Sequence, residues 1–192
     1  MSAHGAAQGE LWIIRHGETE WSRDGLHTSH TELELTPKGE EVARRLADRL
    51  SGVEFGLVLT SPRVRARRTA ELAGFHDVEL EGDLTEWDYG DYEGLTTPKI
   101  REDVPGWTVW SHTCPGGETA EQVSRRLDRV VAKVRAHGGR VLVFSHGHAS
   151  RALAARWLDQ PVQEGRLFKL DTTTISVLAY ERESPAVARW NS

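Results

Sequence analysis

A short apolar run that ends in an arginine and a histidine limits the fold more than any other stretch of this chain. Residues 11–14 are bulky and apolar, a pattern typical of a strand buried on both faces. Arg15, His16 and Gly17 follow at once. In open α/β folds such a strand end lies at the carboxyl edge of the sheet, where ligands bind. An imidazole there can be a nucleophile and a guanidinium can bind phosphate, although two polar residues that merely begin a loop are the simpler interpretation.

Composition excludes several classes of protein. The 192 residues suit one domain with its own core, and the net charge of −5 gives no basic field for nucleic acid or an anionic membrane. Cys114 is the single cysteine, so no intrachain disulfide can form, and no Cys/His spacing suggests zinc. No apolar run is long enough to span a membrane. Residues 1–9 lack the apolar segment of a signal peptide, so we expect a flexible tail before a single cytoplasmic domain at 10–192.

Apolar runs alternate with amphipathic segments along the rest of the chain. The patterns predict further strands at 57–59, 78–80, 141–144, 175–180 and 187–190, and helices at 36–52, 60–74, 119–138 and 149–158. Residues 20–35 show no periodicity and are predicted to be a loop. Prolines and glycines in residues 95–118 predict an insertion with short helices at most. The alternation predicts a three-layer α/β/α sandwich with a mainly parallel central sheet.

Three predicted strand-to-helix junctions carry residues suited to binding phosphate. Arg15 and His16 follow the first strand, arginines at 63, 65, 67 and 68 begin the helix after the second, and His146 follows the fourth. If these strands are parallel neighbours, all three junctions lie at one edge of the sheet, where helix N-termini favour anions. The alternative is that these arginines form a solvated face of the helix. The small residues at 66, 69, 70 and 73 are expected to face inward, so the arginines at 63, 67 and 68 cannot all point in the same direction as Arg65.

Zinc binding is a rival interpretation of the histidines. His16, His146 and His148 would be the ligands, but the last two are only two residues apart and no carboxylate closes the set. We therefore favour phosphate chemistry over a metal site.

Four segments together resemble the histidine phosphatase superfamily, the phosphoglycerate-mutase-like enzymes. They are Arg-His-Gly-Glu-Thr at 15–19, Ser-Pro-x-x-Arg-Ala-x-x-Thr-Ala at 61–70, the loop at 84–94 and the histidine at 146. The resemblance implies a phosphoglycerate-mutase-like fold, with His16 as nucleophile and Glu86 as proton donor in place of its neighbours at 88, 91 and 93. It also implies that Arg15, Arg65 and His146 bind phosphate, the last as an imidazolium, so that neither a metal nor a cofactor is needed.

Two positions favour a phosphatase over a mutase. Ser22 and His148 stand where mutases usually have asparagine. Phosphoglycerate mutases also carry a basic insertion that closes over the substrate carboxylate, whereas residues 95–118 here contain only Lys99 and Arg101 as permanent cations. Segments 27–32 and 86–94 resemble the sugar-bisphosphatase and broad-specificity acid phosphatase subgroup, with Ser29 in place of its usual glycine.

This likeness to the subgroup implies a small phosphorylated metabolite, a sugar phosphate or bisphosphate, as substrate. The residues expected to contact it are Ser22, Thr28, Tyr89 and Gly147. Phosphoglycerate mutase-type transfer and a catalytically silent binding member are the alternative functions. The oligomeric state stays open, with a homodimer as one option.

Overall fold

The computed structural model describes residues 9–192 and contains six strands and seven α-helices within them. In chain order these are β1 (Glu10–Arg15), α1 (Glu20–Asp24), α2 (Pro37–Arg44), α3 (Leu46–Leu50), β2 (Leu57–Thr60), α4 (Val64–Leu72), β3 (Glu79–Leu80), α5 (Thr97–Asp103), α6 (Ala120–His137), β4 (Arg140–Ser145), α7 (Gly147–Trp157), β5 (Ile175–Glu181) and β6 (Ser184–Arg189). The predicted tail at residues 1–8 lies outside the described residues. Gly9, the last residue of that predicted tail, is buried against the backbone of Val134 and Gly139.

The strands form one sheet in the order β3-β2-β4-β1-β5-β6. The first four are parallel to one another, whereas β5 runs antiparallel to both β1 and β6. Helices cover both faces, so the predicted three-layer α/β/α architecture with a mainly parallel sheet is confirmed. The three strands whose ends carry candidate phosphate ligands, β2, β4 and β1, lie side by side.

Side chains alternate between two cores, as a strand with both faces covered requires. Leu11 and Ile13 of β1 belong to the core under α6 and α7, while Ile14 belongs to the core under α3 and α4. The long helix α6 begins at a capping box between Thr119 and Gln122 and ends at left-handed Gly138, as its sequence predicted.

The prediction of a loop at 20–35 was wrong at its beginning. Residues 20–24 form α1, because the Thr19 hydroxyl accepts the Ser22 N–H and Ser22 Oγ accepts the Thr19 N–H. This capping box has Ser where the usual pattern has Glu or Gln, and the helix is too short to show periodicity. The predicted helix start at Thr60-Ser61 was also early, since α4 begins at Val64.

Candidate active site

The three polar junctions meet at one edge of the sheet. The parallel register places Arg15 opposite Ser145 and Thr60 opposite Phe144. The His16 N–H then donates to Ser145 O and the Ser61 N–H donates to Phe144 O, each at 2.9 Å. The chain ends of β1, β2 and β4 therefore lie within one hydrogen bond of each other, as the sequence predicted.

His16 is held with one ring nitrogen available. The side chain is 5% exposed, and Nδ1 lies 2.8 Å from Gly17 O. Because a carbonyl only accepts, Nδ1 carries the proton and Nε2 keeps its lone pair. Among residues 9–192, Nε2 has no hydrogen-bond partner. Burial, reinforced by the charges of Arg65 and Arg15, lowers the pKa of His16 well below its usual value, so the ring is neutral.

Arg65 lies directly behind the two histidines and is fully buried. Its Nε donates to His146 Nδ1 at 3.2 Å. The rest of the guanidinium is held by three carbonyls of one loop, those of Thr28, Ser29 and Thr31, at 3.0–3.3 Å. The loop thus fixes the guanidinium in place, and the separation of Arg65 from its neighbouring arginines is confirmed.

His146 is neutral, which corrects the expectation of an imidazolium. Its Nδ1 accepts from Arg65, so the proton is on Nε2, which lies 2.8 Å from Ser61 Oγ. Burial, followed by the charge of Arg65, lowers its pKa well below the usual value. The ring centroids of His146 and His16 are 5.2 Å apart. Permanent positive charge here comes from arginines alone.

Arg15 presents an unpaired donor. Nη1 donates to Leu170 O at 2.7 Å, but the buried Nε has no partner in the described chain. Burial lowers the pKa of Arg15, an effect that the charge of Glu86 opposes. Orphaned N–H groups of this kind are uncommon in folded proteins and are satisfied when an anion binds.

Glu86 sits at the start of α7 with both carboxylate oxygens bonded. Oε1 accepts the N–H groups of Trp87 and Ala149 at 2.9 and 2.7 Å, and Oε2 accepts that of His148 at 3.0 Å. A Cβ at Gly147 would lie 3.5 Å from the Arg15 guanidinium and 3.6 Å from Glu86 Oε2. Gly147 therefore lies between the Arg15 guanidinium and the Glu86 carboxyl group and is in contact range of both.

A cavity of about 180 Å³ opens onto these groups. The predicted residues that line it are Arg15, His16, Ser22, Thr28, Glu86, Tyr89 and Gly147. Arg65 and His146 lie behind this wall. The competing carboxylates at 88, 91 and 93, all in the described part of the chain, do not line the cavity.

Two of the lining residues already hold internal hydrogen bonds. The Ser22 hydroxyl donates to Thr19 O at 3.1 Å, and the Thr28 hydroxyl donates to Leu26 O at 3.1 Å. Both hydroxyls therefore contribute chiefly shape to the cavity wall.

Four further residues around the cavity were not predicted to be site residues. Arg151, His27 and His148 line the cavity, the last through a 2.6 Å hydrogen bond between Nδ1 and the Tyr89 hydroxyl. The carboxylate of Glu93 accepts the N–H groups of Ser29 and Thr31 and so holds the loop around Arg65. His148 carried a sequence signal through its departure from the asparagine of mutases, and His27 and Glu93 lie in the two segments that resemble the phosphatase subgroup. Arg151 carried none.

Two absences apply to residues 9–192. No group of three or more His, Cys, Asp or Glu side chains is placed to hold a metal ion there. No helix among those residues has the length and apolar character needed to cross a membrane.

The fold and this cavity together define a phosphoryl-transfer enzyme of the α/β/α class. The family model of the histidine phosphatase superfamily (branch 1) matches residues 11–192. An acid phosphatase from Mycobacterium tuberculosis is 46% identical over 92% of this chain and 89% of its own length. Sedoheptulose 1,7-bisphosphatase from Saccharomyces cerevisiae is 38% identical over 79% of this chain and 68% of its own. A solved structure from M. tuberculosis superimposes with a TM-score of 0.92, at 44% identity, over 95% of this chain and 97% of that one.

The chain belongs to the histidine phosphatase superfamily, as its motifs predicted. It is a phosphatase that acts on a small phosphorylated metabolite.

Proposed function

We propose that this phosphatase hydrolyses a small sugar phosphate or bisphosphate through a phosphohistidine formed on His16, without a metal ion. The observation that carries the proposal is the unpaired Nε2 of a neutral, buried imidazole that lines the same cavity as the unpaired Nε of Arg15. A nucleophile with a free lone pair next to an unsatisfied cationic donor suits attack on a phosphate.

In the first step His16 Nε2 attacks phosphorus and the bond to the leaving oxygen breaks. Glu86 enters this step as the carboxylic acid and gives its proton to that oxygen, so the leaving group departs as an alcohol and Glu86 becomes a carboxylate. Oε2 is the better placed of its two oxygens, because it accepts one backbone N–H rather than two and faces Gly147 of the cavity wall.

Positive charge and N–H donors stabilise the transferring group. Arg15 Nε binds one phosphate oxygen directly, and the buried Arg65 adds its charge from behind His16. His146 binds phosphate through Nε2–H, for which it exchanges its bond to Ser61 Oγ. These three residues stabilise the negative charge of the transferring phosphoryl group, as metal ions do in many other phosphoryl-transfer enzymes.

In the second step water attacks the phosphohistidine and the bond to His16 Nε2 breaks. The Glu86 carboxylate, now ionised, accepts a proton from that water, and inorganic phosphate leaves. Return of the phosphoryl group to substrate instead of water would be mutase chemistry. A silent binding member would not need a nucleophile and a proton donor in one cavity, and His16 and Glu86 both line it.

The substrate class rests on the relatives and on the cavity. One relative is named an acid phosphatase and another a sugar bisphosphatase. The cavity of about 180 Å³ is small, which suits a small metabolite. Ser22, Thr28, Tyr89 and Gly147 would contact its carbon skeleton from the wall.

Replacement of the nucleophile tests the proposal. His16→Ala should lose several orders of magnitude in kcat/KM with p-nitrophenyl phosphate in the presence of a chelator. Labelled substrate should leave acid-labile, base-stable phosphate on the wild type and none on His16→Ala. His76→Ala removes an exposed histidine and serves as the control. Equal labelling of His16→Ala and wild type would refute the proposal.

A further inference from the structure

Arg151 is a cation in the cavity wall without a counterion. It lies on α7 and lines the same cavity as His16. Its Nε donates to Gly165 O at 3.1 Å and one Nη to Arg166 O at 3.4 Å. Neither acceptor is charged, and no carboxylate among residues 9–192 forms an ion pair with Arg151.

Arginines of the neighbouring helices α6 and α7 have carboxylate partners. Arg126 of α6 forms hydrogen bonds with the Glu118 carboxylate, and the half-buried Arg156 of α7 does so with Asp128. Arg151 instead resembles Arg15 and Arg65 at the proposed phosphate site, which form hydrogen bonds with carbonyls and with no carboxylate. A partly buried charge without an ion-pair partner is costly: burial lowers the pKa of Arg151, an effect that the charge of Glu86 across the cavity opposes and that of Arg15 reinforces. Retention of such a cation beside Arg15 is explained if an anion binds there.

The surroundings of Arg151 are shaped to hold it towards the cavity. Its guanidinium lies over the Trp110 ring, 4.8 Å from the centroid. A Cβ at Gly165 would come within 2.6 Å of that ring, so this glycine makes room for Trp110 while its carbonyl binds Arg151 Nε. Three separate contacts thus fix the side chain, which leaves its other N–H groups without protein acceptors.

His148 adds a second donor to the same wall. Burial lowers its pKa well below the usual value, with the charge of Arg151 next in effect, so the ring is neutral. Burial also raises the pKa of Tyr89, so the phenol keeps its proton. We assign the Tyr89 hydroxyl as donor to His148 Nδ1, which fixes the ring. In that tautomer Nε2 carries the ring proton, and it has no partner in the described chain.

We propose that Arg151 and His148 bind a second anionic group of the substrate, a phosphate or a carboxylate. The preferred substrate is then a small phosphomonoester with two anionic ends, one at His16 and one at Arg151. This inference rests on the proposed role of His16, which places the reacting phosphate at the other side of the cavity.

Paired substrates test the second site and identify the anion. Fructose 1,6-bisphosphate is compared with fructose 6-phosphate, and 3-phosphoglycerate with glycerol 3-phosphate. The wild type should prefer the doubly anionic member of at least one pair, and the preferred pair identifies phosphate or carboxylate. Arg151→Gln should lower that preference, as a ratio of kcat/KM values, by at least about tenfold through KM, the loss expected for one charge-assisted hydrogen bond.

Two further variants separate binding from folding. Arg67→Gln removes an exposed arginine of α4 and the same unit of charge, and should keep the wild-type ratio. Arg151→Lys keeps the charge and should retain part of the preference. No preference in the wild type, or equal losses of kcat/KM for both members of a pair in Arg151→Gln, would overturn the second site. Hydrolysis of p-nitrophenyl phosphate by the wild type and not by His16→Ala would still support the proposed function in that case.

Discussion

Arg126 ties the loop that carries Glu86 to the long helix α6, and its loss should be costly. The side chain is 8% exposed and donates to the carbonyls of Asp83, Thr85 and Glu86 at 2.7, 2.8 and 3.2 Å. It also donates to both oxygens of the Glu118 carboxylate at 2.8 and 2.9 Å. Arg126→Met keeps the aliphatic stem and removes all five contacts.

The size of the effect follows from what the substitution leaves unpaired. Breaking a buried ion pair by removing one partner costs about 3–5 kcal/mol. The Glu118 side chain is 22% exposed and still accepts the Asp88 N–H in the variant. Water and this hydrogen bond therefore stabilise the Glu118 carboxylate after its arginine partner is removed. We therefore expect the lower end, about 3 kcal/mol of unfolding free energy. For a chain of this size that corresponds to a fall in Tm of roughly 6–12 °C.

Arg129→Met is the matched control. Arg129 lies one turn further along α6, is 64% exposed and pairs with Asp83 at the surface, where solvent screens the ion pair. Urea unfolding and thermal melting of both variants measure stability, and kcat reports the position of Glu86. Arg126→Met should be clearly destabilised with reduced kcat, and Arg129→Met should resemble the wild type. Equal stability of the two variants would refute the reasoning.

Two further predictions concern the chemistry. Glu86→Gln keeps the shape of the side chain and removes its proton, so it should cripple cleavage of sugar phosphates. It should slow the nitrophenolate burst from p-nitrophenyl phosphate far less, because that leaving group needs no proton. Equal losses in the burst phase for the two kinds of leaving group would remove Glu86 from the donor role. Since burial and two arginines lower the pKa of His16, its ring should stay in the neutral Nδ1–H form as the pH falls through 6.5, and the acid limb of kcat/KM due to the nucleophile should lie below that pH. Nitrogen chemical shifts that show His16 protonated at pH 6.5 would contradict the second prediction.

The local sequence determined the elements and the edge where the site forms. Short apolar runs that end in polar residues, with helix caps and prolines after them, were enough to place β1, β2, β4 and the helices that follow. Parallel strands necessarily bring their carboxyl ends to one edge. The positions of His16 and Arg65 could therefore be predicted from a pattern of 10–20 residues around each, together with the family resemblance.

Only the tertiary structure decided the state and the surroundings of those residues. The lone pair on His16 Nε2 depends on the Gly17 carbonyl, and the neutral His146 depends on Arg65, 81 positions away in the chain. Glu93 holds Ser29 across 64 positions, and Arg126 holds the Glu86 backbone across 40. Such contacts join segments that no local periodicity relates, because their geometry is set by the packing of loops and helices over the sheet. The unpaired charge of Arg151 has the same origin, since a sequence shows an arginine but not whether a carboxylate lies beside it.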